Sequence, residues 1–173
     1  MILMRHAESE FNVVYNATGA DPGITDPRLT ETGRRQARAA ARTLAAHPVR
    51  RVVTSPYRRA LETAEIVATT LDLAVTVEPL VRERRVFTCD TGTPRSVLTA
   101  SWPRLDFDHL EEQWWTSAIE TDDDVAARCV RFRRLAGTWR DWRDVLVISH
   151  WGFILALTGR TAHNGELLPF DPT

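Results

Sequence analysis

The 173-residue chain contains no lysine: all 22 of its basic residues are arginine. That absence excludes a P-loop lysine, a pyridoxal Schiff base and any lysine nucleophile. It leaves the planar guanidinium fork, well matched to phosphate and carboxylate oxygens, as the only permanent side-chain cation. Cysteine is scarce too. Cys89 and Cys129 stand alone, so neither a disulfide framework nor a cysteine zinc cage can form. Long apolar runs are missing, since the stretch at 153–157 falls far short of a membrane span. Only Met1–Met4 precedes Arg5, too little for a signal peptide, and the expectation is a cytoplasmic protein. Basic and acidic residues nearly cancel, 22 against 23, which gives no reason to expect nucleic acid or an anionic membrane as partner.

What is present reads as one globular domain over residues 1–173, 43% hydrophobic and 26% charged. Met1–Met4, Arg51–Thr54, Leu73–Val77, Val145–Ile148 and Glu166–Leu168 read as strands, the fourth an unbroken apolar run suited to a central parallel position. Thr30 is a candidate N-cap for a helix over 31–46, stopped by His47-Pro48. Ser55-Pro56 reads as cap and first turn of the next helix. Thr121 before three aspartates opens another, and Trp151–Gly159 a short last one. Gly19–Pro27 is loop. The alternation predicts an α/β fold, a three-layer αβα sandwich with a mostly parallel central sheet.

Three polar clusters follow predicted strands: Arg5-His6, Arg58-Arg59 and Ser149-His150. Ligands collect at the carboxyl ends of strands in open parallel sheets, so all three should face one crevice. Each cluster alone is weak, since composition alone gives about 0.6 Arg-His pairs by chance. Their joint placement carries the argument. Glu83 lies in Arg82-Glu83-Arg84-Arg85, where a surface ion pair is the simplest reading. His47, His109 and His163 read as helix-end or surface residues, and both cysteines as small buried side chains.

These residues sit in five ordered blocks. Leu3-Met4-Arg5-His6-Ala7-Glu8-Ser9 with Asn12, then 29–37, then Ser55–Ala64, then Arg82-Glu83, then Val147–Phe153, resemble the histidine phosphatase (phosphoglycerate mutase-like) superfamily over nearly the whole chain. Two positions depart from its usual pattern: Ala7 stands where glycine is commonest, and Trp151 precedes Gly152 after the second histidine. The resemblance implies a metal-independent phosphomonoesterase, without cofactor, acting through a phosphohistidine on His6. Arg5, Arg59 and His150 would bind the phosphoryl group, Glu83 would serve as general acid and base, and Asn12, Ser9 and the Trp151 amide would contact phosphate. The chemistry of the side chains is compatible: cations favour a neutral, nucleophilic His6, and arginines can balance phosphoryl charge without a metal.

The partners expected are a small phosphorylated substrate and inorganic phosphate as product, with a homodimer left open. A phosphoglycerate mutase, a phosphohistidine protein phosphatase and a non-catalytic phosphate-binding domain are the alternatives. The aromatic segment 86–118 holds three of the six tryptophans. It reads either as a lid with Trp114 or Trp115 facing substrate, or as a satellite core.

Overall fold

The computed structural model describes residues 1–173. The chain runs β1 (Ile2–Arg5), α1 (Glu10–Thr18), α2 (Glu31–Leu44), β2 (Arg51–Thr54), α3 (Arg58–Leu71), β3 (Ala74–Val77), α4 (Arg95–Ser101), α5 (Asp122–Gly137), β4 (Val145–Ser149), α6 (Trp151–Thr158) and β5 (Leu167–Pro169). One five-stranded sheet has the order β3-β2-β4-β1-β5. All pairings are parallel except β1 with β5. The expected mostly parallel α/β architecture is present, with β4 at the centre. No helix is long and apolar enough to cross a membrane.

Successive side chains on a strand point to opposite faces, and both faces here are covered. Leu3, Val53, Val145 and Val147 pack with Val125, Phe132, Phe153 and Leu157 of α5 and α6. Met4, Val52, Leu146 and Ile148 pack with Ala40, Leu44, Ala60, Ala64 and Val67 of α2 and α3. The alanine-rich faces of α2 and α3 let these helices lie close to the sheet and to each other.

Local signals explain most boundaries. Thr30 caps α2 by accepting from the Gly33 amide at 2.9 Å, and Thr121 caps α5 reciprocally with Asp124. Three expectations need correction. Helix α1 has no counterpart among the expected elements, yet Asn12 Oδ1 accepts from the Ser9 amide at 3.0 Å and Gly19 closes the far end with φ 70°. Helix α3 starts at Arg58, two residues later than the Ser-Pro reading, because Ser55 is engaged elsewhere. Helix α2 stops at Leu44 rather than Ala46.

Segment 86–118 forms a satellite core. Leu98 of α4, Phe107, Leu110 and Trp114 pack against Tyr57 and Leu61 of α3 and Val77 of β3.

Two glycines separate packing from propensity. A Cβ on Gly33 would meet the Glu8 carbonyl oxygen at 2.1 Å, whereas one on Gly137 would meet nothing within 4 Å. Gly33→Ala should lose about 1–3 kcal/mol in urea unfolding through overpacking. Gly137→Ala, at the last turn of α5, should be neutral or gain up to about 1 kcal/mol. Equal effects from the two would contradict this account.

Candidate active site

The register of the three central strands sets the site. Arg5 pairs with Ser149 and Thr54 with Ile148. The residues just beyond, His6, Ser55 and His150, are thereby brought side by side. The His6 amide donates to Ser149 O at 2.9 Å and the Ser55 amide to Ile148 O at 3.1 Å. The His6 and His150 rings lie 5.1 Å apart.

His6 Nδ1 is 2.7 Å from the Ala7 carbonyl oxygen. A carbonyl can only accept, so Nδ1 carries the proton and the neutral ring keeps its lone pair on Nε2. Burial, then the Arg59 and Arg5 guanidinium groups, hold His6 well below the ordinary imidazole range. Burial dominates at His150 as well, reinforced by Arg59. Both rings are therefore neutral at pH 7. Nδ1 of His150 is buried without a protein partner.

The two arginines enter differently. Arg5 donates from Nη1 to Ala162 O at 3.0 Å and leaves its buried Nε unpartnered. Arg59, in the first turn of α3, donates to Cys89 O at 2.7 Å and pairs with Asp90 at 3.0 Å, its guanidinium 4.5 Å over the Tyr57 ring. Its neighbour Arg58 turns to Glu62 at 3.4 Å. Burial makes both demands intelligible: a buried guanidinium needs acceptors, and α3 can aim only one of two successive residues inward.

Glu83 sits against the start of α6. Its Oε1 accepts from the Arg84 amide at 2.8 Å and the Phe153 amide at 3.1 Å, and its Oε2 from the Gly152 amide at 3.1 Å. A Cβ on residue 152 would come within 2.7 Å of Oε1, so a side chain there would push the carboxylate from its present place. Burial, helped by the negative charge of Asp90, raises the carboxyl above its ordinary range despite the opposing amides and Arg59.

The stretch carrying Glu83 is held from below by Arg128 of α5. This fully buried side chain donates to the carbonyls of Leu80, Arg82 and Glu83 and pairs with Glu120 at 3.1 Å. Glu120 also takes Arg82 at 2.7 Å. Arg84 pairs with Asp122. Of the three arginines flanking Glu83, Arg85 has no carboxylate in an ion pair: it donates to Phe87 O and keeps Nε unpartnered.

The remaining candidates divide. Asn12 Oδ1 receives the Ser9 amide, the Ser9 hydroxyl at 3.0 Å and Asn164 at 3.1 Å, which leaves its NH2 as the available end. Ser9 is thus the cap of α1, with its hydroxyl committed to that turn. Trp151 is 44% exposed, and its amide is bonded to no protein acceptor at the open end of α6. Trp114 is turned into the satellite core, its indole donating to Thr93 O at 2.9 Å, and it reaches His150 only by way of Tyr57. Trp115 packs edge-on against Trp114. Both serve packing, because the apolar faces of α3 and β3 need a cover. Ser55, Asp90, Asn164, Glu120 and Arg128 were missed. Ser55 alone carried a signal, its position directly after a buried strand; the others are placed by contacts between distant segments.

No three His, Cys, Asp or Glu side chains converge as a metal cage would require. Residues 1–168 match the sequence profile of the histidine phosphatase superfamily, branch 1. The chain belongs to the histidine phosphatase superfamily. It is 31% identical over 166 residues to the glucosyl-3-phosphoglycerate phosphatase of Mycolicibacterium vanbaalenii, covering 91% of this chain and 72% of that one. A solved mycobacterial glucosyl-3-phosphoglycerate phosphatase superposes with a TM-score of 0.63 at 27% identity, over 92% of this chain and 77% of that one. A structure described as mycobacterial hydrolase 1 shares the fold, with a TM-score of 0.69 at 24% identity over 96% of this chain and 86% of that one.

As a histidine phosphatase this chain is an enzyme, and the family works through a phosphohistidine. The crevice joins a nitrogen lone pair, arginine and histidine donors, and a carboxyl group of raised proton affinity.

Proposed function

We propose that this histidine phosphatase is a metal-independent phosphomonoester hydrolase in which His6 is the nucleophile and Glu83 the general acid and base. The observation that carries the reading is the pair of buried nitrogens without protein partners, Arg5 Nε and His150 Nδ1, beside a histidine whose Nε2 must hold a lone pair. Buried donors without acceptors are rare in proteins and suit an anion that arrives with the substrate.

In the first step Nε2 of His6 forms a bond to phosphorus as the P–O ester bond breaks, and Glu83 delivers its proton to the departing alkoxide. Oε2, which accepts one amide against two at Oε1, is the oxygen assigned that proton. Arg5, Arg59, His150, the Asn12 NH2 and the Trp151 amide balance the charge on the non-bridging oxygens. The Ala7 carbonyl stabilises the cationic ring that results. In the second step the Glu83 carboxylate takes a proton from water, the hydroxide attacks phosphorus, and the P–N bond breaks to restore His6.

Hydrolysis of 4-nitrophenyl phosphate should persist in excess chelator and vanish in His6→Ala. Acid-labile phosphate should label the wild type alone. Labelling without release of inorganic phosphate would favour a mutase instead, and activity in His6→Ala would sink the nucleophile.

The pH profile follows from the two shifted groups. Nε2 is lost to protonation as pH falls through the lowered pKa of His6, which puts the acid limb well below 6.5. The acid form of Glu83 is lost as pH rises through its raised pKa, which sets the alkaline limb. Glu83→Gln should cost about 100-fold in kcat on an alkyl phosphate, far less on an aryl one, and remove the alkaline limb. An equal loss on both esters would remove the acid role.

For the leaving group, we propose contacts with Phe87 and Arg85, which lie on the segment just after Glu83 and are joined by a hydrogen bond from Arg85 to the Phe87 carbonyl. Phe87 packs with tilted rings against Phe11 and Tyr15 at 5.6 and 5.1 Å, and its amide donates to Asp90, the carboxylate that also pairs Arg59. The relatives named for glucosyl-3-phosphoglycerate make phosphorylated glyceric acids the first panel to try. Arg85→Met should raise KM about tenfold or more for esters whose leaving group carries a carboxylate and leave an aryl phosphate without one unchanged. Phe87→Ala should do the reverse, and identical effects of the two variants across the panel would refute the assignment.

A further inference from the structure

Ser55 follows β2 directly and is fully buried. Its Oγ accepts from the Tyr57 amide at 3.3 Å and stands 2.8 Å from His150 Nε2, with no other protein partner. The hydroxyl proton therefore has one acceptor in reach, the Nε2 nitrogen. If Nε2 held a proton instead, Ser55 Oγ would accept twice and its own O–H would be buried with nothing to receive it, an arrangement folded proteins avoid.

We infer that Ser55 is a positioning residue that holds His150 as its Nδ1–H tautomer, so that a neutral ring offers an N–H to the transferring phosphoryl group. The inference rests on the phosphohydrolase reading for its consequence, though not for the tautomer itself. The geometry is continuous: Tyr57 N–H to Ser55 Oγ, Ser55 O–H to His150 Nε2, and then the buried Nδ1 that no protein group engages. The Tyr57 ring, edge-on to His150 at 5.2 Å, fixes the imidazole plane. Charge around the ring points the same way. Arg59 of α3, His6 just beyond β1, Arg128 of α5 and Arg5 of β1 each disfavour an imidazolium there. A tautomer-locked neutral donor supplies the hydrogen bond that a second cation would supply only against that repulsion. It also spares the lone pair of His6, which a charged neighbour 5.1 Å away would make less basic. The Ser-Pro dipeptide thus serves the site and not the helix cap its sequence suggests.

The test begins with long-range proton–nitrogen NMR of the ¹⁵N-labelled full chain at neutral pH, the His150 signals assigned with His150→Gln. A protonated nitrogen at δ1 and a lone-pair nitrogen at ε2 is the expected result; the opposite pattern overturns the inference, whether or not the protein hydrolyses any ester. In Ser55→Ala that pattern should be lost, and kcat for 4-nitrophenyl phosphate should fall at least about tenfold with KM within about twofold, since a wrong tautomer withholds the donor without emptying the site. Ser55→Thr, which keeps the hydroxyl, should restore most of the rate. Wild-type kcat in Ser55→Ala, or an equal loss in the alanine and threonine variants, would overturn the proposal. Should Ser55→Ala fail to fold, the wild-type tautomer alone decides.

Discussion

Everything at the site depends on how β1 and β2 are registered against β4. The three strands are parallel and end together, so the first residues beyond them, His6, Ser55 and His150, form one cluster. A slip of one residue in either pairing would exchange the two faces of that strand. Leu3 would then trade places with Met4 between two differently shaped cores, and His6 would leave the crevice. The core packing that enforces the register is therefore also what holds the catalytic geometry, and the two cannot vary separately.

A second constraint is charge in a dry place. Arg59 and Arg128 are buried and each is matched by a carboxylate and by backbone carbonyls, Asp90 with Cys89 O and Glu120 with the 80–83 strip. Breaking such a pair strands a charge, which is why each of these arginines is held by both a carboxylate and backbone carbonyl oxygen. Glu83 differs from these. It receives amides but no guanidinium in an ion pair, and burial raises its affinity for a proton. The histidines show the converse, since burial and surrounding cations favour their neutral forms. One electrostatic environment thus moves an acid up and two bases down, the separation that acid and nucleophile both need.

Much of this was legible from residues alone. The β-branched run at 145–148, the caps at Thr30 and Thr121, and the polar pairs beyond predicted strands all carried their meaning locally. Arg59 could be preferred over Arg58 only through the family pattern, and the structure shows why the two differ: one helix turn aims them apart. Helix α1 was overlooked because its nine residues are weakly amphipathic, although Ser9, Asn12 and Gly19 marked both ends. The aromatic segment divided, with Trp114 and Trp115 in a satellite core and Phe87 against α1.

The sequence by itself determined the strand order, most of the helices, the family and the chemical types available for phosphoryl transfer, because periodicity, caps and ordered motifs are short-range properties. Only the tertiary structure decided which groups are free to act. Arg128 reaching across 45 residues to the Glu83 carbonyl, Asp90 meeting Arg59, and Ser55 turning from helix cap to partner of His150 are contacts between distant segments. Their physical cause is burial: once these polar atoms leave water, each must find its partner in the fold.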